Sequence, residues 1–380
     1  MSESAPPARK LRVGFIPLTD CAPLVMAAAK GFDRKHGFEL VLSREPSWAA
    51  IRDKLMSGEL DAAHMLYGMV YGVQMGIGGL QQDMAVLMTL NRNGQAITLS
   101  RRLSDRGVCD GASLARAVRD DPRRHTFAQT FPTGTHAMWL YYWLASHGIH
   151  PFDDVNNVVV PPPQMVSNLA VGNVDGYCAG EPWNALAIER GAGFTVAATQ
   201  DIWPDHPEKV LACTRACVDR QPDLARALVM AVLEAARDLD TTAGRDQAAH
   251  LLARPEYVDV PRALIQDRLH GRYDDGLGRR WIDPHALSFF DDGAVTYPWL
   301  SDGMWFLTQQ WRWGLLDQEP NYLAVARRVN QTALYREAAD RLGVPLPDSD
   351  LRASKLMDGK VWDGSDPRAY AASFEAPVAA

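Results

Sequence analysis

Cysteine is scarce. There are five in 380 residues, at positions 21, 109, 178, 213 and 217. An odd number so widely spaced forms no disulfide framework and suits a reducing compartment. A basic excess is missing too: acidic side chains outnumber basic ones 46 to 39, for a net charge of −7. Direct contact with nucleic acid is therefore not expected, because phosphate binding wants a basic surface. No run approaches the length that crosses a bilayer, so no membrane association is expected. The start, Met1-Ser-Glu-Ser-Ala-Pro-Pro-Ala-Arg-Lys10, is polar, and the short apolar run Leu11–Leu18 has no cleavage site after it. Leu18-Thr-Asp-Cys21 makes a poor lipidation box, since Asp20 stands where a small residue is needed. These absences lead to the expectation of a cytoplasmic protein. The enzyme motifs are missing as well: there is no P-loop, no G-x-G-x-x-G after a strand, no H-E-x-x-H and no G-x-S-x-G. Cys213-x3-Cys217 lacks a second ligand pair and reads as buried strand cysteines, and His147-x2-His150 reads as a solvated helix end. Neither a metal nor a cofactor is expected.

Lysine is the other scarcity. Only seven of the 39 basic residues are lysine, and Lys209 alone lies between Lys54 and Lys355. Arginine-rich usage accounts for the bias but not for the one lysine that survives at mid-chain.

What remains is an ordinary globular balance, 47 % hydrophobic and 22 % charged. The length suggests about two domains. Leu11–Leu18 reads as a buried strand, with Asp20 as N-cap and Pro23 in the first turn of a helix that stops before Gly31. Phe38–Leu42, Ala62–Met65, Ala85–Leu90, Thr126–Thr130, Asn157–Val160 and Val210–Thr214 read as further strands. Short helices lie between them, which implies a parallel α/β sheet. Helical apolar spacing runs from Leu224 to Leu239, and a Trp-rich helix is expected from Gly303 to Trp313. The tail after Asp348 is expected to wrap the surface or fray. One echo stands out. Leu55-Met-Ser-Gly58-Glu-Leu60-Asp61-Ala62 and Leu169-Ala-Val-Gly172-Asn-Val174-Asp175-Gly176 share one form, a helix ended by glycine and then a strand. Two similar α/β lobes would produce it.

Three expected helix openings follow strands and carry aromatic and polar donors: Ser47-Trp48, Thr135-His136 and Gly180-Glu-Pro-Trp183. Helix starts present unpaired N–H groups to a small anion. Taken together, Gly14-Phe-Ile-Pro-Leu-Thr-Asp-Cys-Ala-Pro23, Ser47-Trp-Ala-Ala-Ile-Arg-Asp53, Asn93-Gly-Gln95, Phe131-Pro-Thr-Gly-Thr-His136, Gly180-Glu-Pro-Trp-Asn184, Met304-Trp-Phe-Leu-Thr308 and Arg312-Trp-Gly314 resemble the nitrate/bicarbonate-binding proteins of ABC transporters. The resemblance runs over about residues 11–320.

That resemblance implies a two-lobed type II periplasmic-binding-protein fold with helical C-terminal additions. Its expected divisions are a disordered 1–10, lobe 1 over 11–98, lobe 2 over 99–205, a return to lobe 1 over 206–347 and a tail over 348–380. It also implies that nitrate contacts Trp48, Gln95, His136, Gly180 and Lys209, with Lys209 as countercharge. In the bicarbonate-binding relatives a calcium-assisted site with an acidic residue takes that place, and Glu208 keeps that alternative open. The absent export signal matches the cytoplasmic NasS-type nitrate/nitrite sensors, which hold a NasT-type RNA-binding antiterminator until ligand releases it. A transport subunit whose true start lies upstream, and a small-metabolite enzyme on the same fold, are the alternatives.

Overall fold

The computed structural model describes residues 9–374. Ten strands build two five-stranded sheets: β1 Arg9–Phe15, β2 Phe38–Arg44, β3 Ala62–Leu66, β4 Met84–Thr89, β5 Gln95–Ser100, β6 Thr126–Gln129, β7 Asn156–Val159, β8 Gly176–Gly180, β9 Gly193–Ala198 and β10 Lys209–Thr214. The first sheet has the order β2-β1-β3-β10-β4 and the second β7-β6-β8-β5-β9. In each, four strands run the same way and one, β10 or β5, lies antiparallel between two of them. The fold is a two-lobed α/β architecture with mixed sheets. Every residue of β3, β4, β5 and β8 is buried, as befits strands covered on both faces.

The sequence echo marks the same place in each lobe. Gly58 and Gly172 end their helices in the left-handed region, at φ 77° and 86°. The chain then enters the third strand of each sheet, β3 or β8. The two aspartates do matching work. Asp61 Oδ2 accepts the Arg12 N–H at 2.8 Å, and Asp175 Oδ2 accepts the Thr126 N–H at 2.8 Å. Their own N–H groups donate back to the Arg12 and Thr126 carbonyls. Each aspartate thus ties its loop to the neighbouring parallel strand of its sheet, β1 or β6.

The chain passes between the lobes along Leu90–Gly94 and again along Trp203–Glu208. These two passages run side by side, with Leu90 N donating to Lys209 O, Glu208 N to Asn91 O and Asn93 N to His206 O. The later part of the chain touches both lobes. Helix Arg262–Leu269 and the hairpin of Arg272–Asp274 with Arg280–Ile282 sit against the second lobe, where Arg268 pairs with Glu181 at 2.9 Å and Thr195 N donates to Asp275 O. Helix Leu300–Arg312 packs Trp305 against Trp139 and Trp203, with ring centroids 4.8 and 5.1 Å apart. Its tryptophan belongs to the core.

Several sequence expectations need correction. Arg9 and Lys10 are not disordered but pair with Phe38 and Glu39 in β1, because Arg9–Phe15 and Phe38–Arg44 zip in register along their full length. Positions 1–8 of that expected segment lie outside the described residues. The Trp-rich helix begins at Leu300 rather than Gly303. Cys217 lies on helix Arg215–Arg220 and is partly exposed, not a strand cysteine. Part of the tail is a packed element: it forms a small hairpin and the helix Pro367–Ala372, and Trp362 is buried and donates to Ser301 O at 3.0 Å. No helix among the described residues is long and apolar enough to cross a membrane.

Candidate functional site

Lys209 opens β10 at the seam between the lobes and is fully buried. Its Nζ donates to Asp20 Oδ2 and Glu208 Oε1, each at 2.9 Å, and lies 3.3 Å from His136 Nε2. Attraction to Asp20 and Glu208 outweighs the burial penalty and holds the ammonium above its ordinary value. His136 is the second residue of helix Thr135–Ser146. An ammonium can only donate, so Nε2 is the acceptor and Nδ1–H donates to Thr130 Oγ1 at 2.6 Å. Burial, and then Lys209, push the imidazole down to about 3, so it is neutral near pH 7.

Gln95 opens β5 just after the Asn93-Gly94 turn, and its Nε2 donates to Asp20 Oδ2 at 3.0 Å. Gly180 ends β8 directly opposite Gln95 in register. A Cβ there would lie 3.1 Å from the Leu18 side chain and 3.5 Å from Asp20 Oδ2, so the backbone closes in on that carboxylate. Gly180 is not at a helix start: the helix begins three residues later, at Trp183. Trp48 does open a helix, whose N-cap Ser47 accepts from Ala50 N. Its ring lies 5.8 Å from Lys209 Nζ and 5.3 Å from the His64 ring. Its buried Nε1–H has no partner among the described residues, nor has Gln95 Oε1.

The five expected residues therefore converge, and they converge on a sixth that the sequence reading assigned elsewhere. Asp20 is no N-cap. It sits in the turn Thr19–Cys21, and the helix Ala22–Ala29 that follows has no side-chain cap. Its carboxylate instead accepts from Lys209, Gln95 and, at 2.8 Å, from His64 Nε2. Burial alone would raise its pKa, but Lys209 and His64 together hold it well below the usual carboxylate range. Burial keeps His64 neutral, with Nδ1 facing the Ile16 N–H. The sequence gives one clue to this arrangement, that Asp20 directly precedes the buried Cys-Ala-Pro turn.

Glu208 accepts from Trp139 Nε1 at 2.6 Å, from Thr135 Oγ1 and from Lys209. Its oxygens are thus taken up by three hydrogen donors, one of them the Lys209 ammonium. Among the described residues no group of three or more His, Cys, Asp or Glu is placed to hold a metal. An indole, an amide, an ammonium and a close backbone thus gather around one buried carboxylate.

The NMT1-like family model matches residues 4–253. The chain belongs to that family. It is 38 % identical over 389 residues to the nitrate/nitrite binding protein NrtA of Synechocystis sp. PCC 6803, covering 98 % of this chain and 86 % of NrtA. It is 40 % identical over 370 residues to the nitrate import ATP-binding protein NrtC of the same organism, covering 96 % of this chain but only 55 % of NrtC. The chain thus spans about half the length of that relative. The crystal structure of the periplasmic nitrate-binding protein NrtA from Synechocystis PCC 6803 superposes with a TM-score of 0.93 at 36 % identity, covering 98 % of this chain and all of that one. The two-lobed fold of this chain is therefore the periplasmic-binding-protein fold.

Proposed function

We propose that this protein binds nitrate or nitrite, without turnover, at Trp48, Gln95, His136, Gly180 and Lys209. The observation that carries the reading is the convergence of these residues, from five elements, on the buried pair of Asp20 and Lys209. The names of the relatives, nitrate/nitrite binding protein and nitrate import, agree with it. Nitrate has four heavy atoms, and a ceiling of about 1.5 kcal/mol per atom limits the dissociation constant to tens of micromolar at the tightest. Calorimetric titration with nitrate, nitrite, chloride, and bicarbonate with calcium tests this directly. Binding of nitrate or nitrite below millimolar supports it, and a folded protein that binds neither overturns it. Calcium-dependent bicarbonate binding would instead favour Glu208 as a cation ligand, at odds with the three donors now on its oxygens.

The role we propose is that of a cytoplasmic sensor. Ligand closes the lobes and releases a NasT-type antiterminator protein, which makes the RNA contact that this acidic chain is poorly charged to make. The likeness to NrtA favours a second role equally, the substrate-binding part of a nitrate transporter. Pull-down of the antiterminator with and without nitrate separates them. A complex that survives saturating nitrate and nitrite eliminates the release mechanism.

A further inference from the structure

Two of the donors assigned to the ligand, Lys209 Nζ and Gln95 Nε2, are already engaged. Asp20 Oδ2 receives Lys209 Nζ at 2.9 Å and Gln95 Nε2 at 3.0 Å, and Gly180 closes against the same oxygen. A carboxylate is close to nitrate in charge, planarity and oxygen spacing. It is the natural occupant of an oxyanion seat, supplied here by the chain itself.

Charge adds a constraint. Asp20, Glu208 and Lys209 are all buried, and the three together carry one net negative charge. His64 on β3 and His136 on the helix Thr135–Ser146 face them as neutral imidazoles. Of the other groups near Asp20, Arg44 at the end of β2 is a cation whose pull on Cys21 is smaller than the push from Asp20, and the rest are neutral or paired. Cys21 on its own turn is a neutral thiol, and burial drives its pKa upward. Glu181 and Arg268, beside Thr19, cancel as an ion pair. Tyr257, packed on Phe15, is a neutral phenol. A monoanion added to this dry site would leave two uncompensated negative charges, which burial makes prohibitive.

We propose that Asp20 is a built-in anion of the site, and that an external monoanion takes Lys209 and Gln95 from it only together with one proton from solvent. The proton goes to Asp20 Oδ2, the acceptor that gives up both donors, while His64 keeps its hydrogen bond to Oδ1. No other bond changes, and the net charge of the filled site stays where it began. The inference rests on the small-anion reading above and adds a proton to it. Its consequence is that affinity depends on pH in the direction that favours uptake from acidic surroundings.

Calorimetry of the full chain with nitrate, in two buffers of different ionisation enthalpy at pH 6, 7 and 8, counts the protons. We expect one proton taken up per nitrate and a dissociation constant that weakens about tenfold per pH unit. In Asp20→Asn the built-in charge is gone. The expected result is a pH-independent dissociation constant, no buffer-dependent heat and tighter binding than wild type at pH 8. Asp20→Glu should retain the slope. Should Asp20→Asn fail to fold, the wild-type proton count decides alone. Nitrate binding with a flat pH profile and no proton uptake overturns the built-in anion and leaves the nitrate reading standing. Failure of both proteins to bind nitrate, nitrite or bicarbonate at millimolar concentration overturns both.

Discussion

Trp48 and Lys209 are both buried at the site, but their polar atoms are used differently. The Trp48 Nε1–H has no partner among the described residues, so removing it leaves nothing else unpaired. Trp48→Phe should weaken nitrate binding by about 1–2 kcal/mol with little change in melting temperature, measured by titration and thermal scans side by side. Lys209→Met is the opposite case. It strands Asp20 and Glu208 as buried charges, and should cost about 3–5 kcal/mol of stability in chemical denaturation as well as abolishing binding. Acid should act through the imidazoles. His136 and His206, ordinarily near 6.5, are each held down to about 3 by burial, so protonation favours the unfolded chain. Their contribution is complete above pH 6.5 and is lost as pH falls toward about 3, and Asp20 adds a loss in the same direction below its ordinary 3.8. Melting temperature against pH checks the sign. At this scale, family resemblance pointed to Trp48, Gln95, His136, Gly180 and Lys209, and the fold brings them together. The resemblance did not reveal Asp20, because its partners at 64, 95 and 209 meet it only through the folded sheets, whereas locally it resembles any polar residue ahead of a helix.

At the scale of elements, the repeated aspartates offer the clearest test. Asp61→Ala and Asp175→Ala each leave the first N–H of a strand pairing, at Arg12 or Thr126, without its carboxylate. Each should cost about 1–3 kcal/mol in chemical denaturation. Asp175→Ala should cost more, since Asp175 is only 6 % exposed and also holds Arg123 through two 2.8 Å contacts. The strands with continuous apolar runs, such as Met84–Thr89, were readable from the sequence. Gln95–Ser100 was not, because Gln95, Thr98 and Ser100 break the apolar pattern. It is fully buried all the same, with Thr98 satisfied by Asn184 at 2.8 Å. A strand flanked on both edges can carry polar side chains inward when partners wait there.

For the whole molecule, the echo at Gly58 and Gly172 foretold two similar lobes. It said nothing of the segment Arg262–Ile282, whose contacts with the second lobe come from the helix Arg262–Leu269 and a hairpin of only three residues a side. A ligand held between lobes stabilises both. At a hundredfold excess over its dissociation constant, nitrate should add about 2.7 kcal/mol and raise the melting temperature by several degrees, while equimolar chloride leaves it unchanged. The arrangement around Glu208 has an optical consequence. Trp139 donates to Glu208, which in turn holds Lys209, and the same indole meets Trp203 edge-on and packs tilted against Trp305. Any redistribution of charge at the lysine therefore reaches a coupled trio of indoles. If nitrate occupies the site as proposed, its binding should be readable without a label as a change in tryptophan emission and near-ultraviolet dichroism.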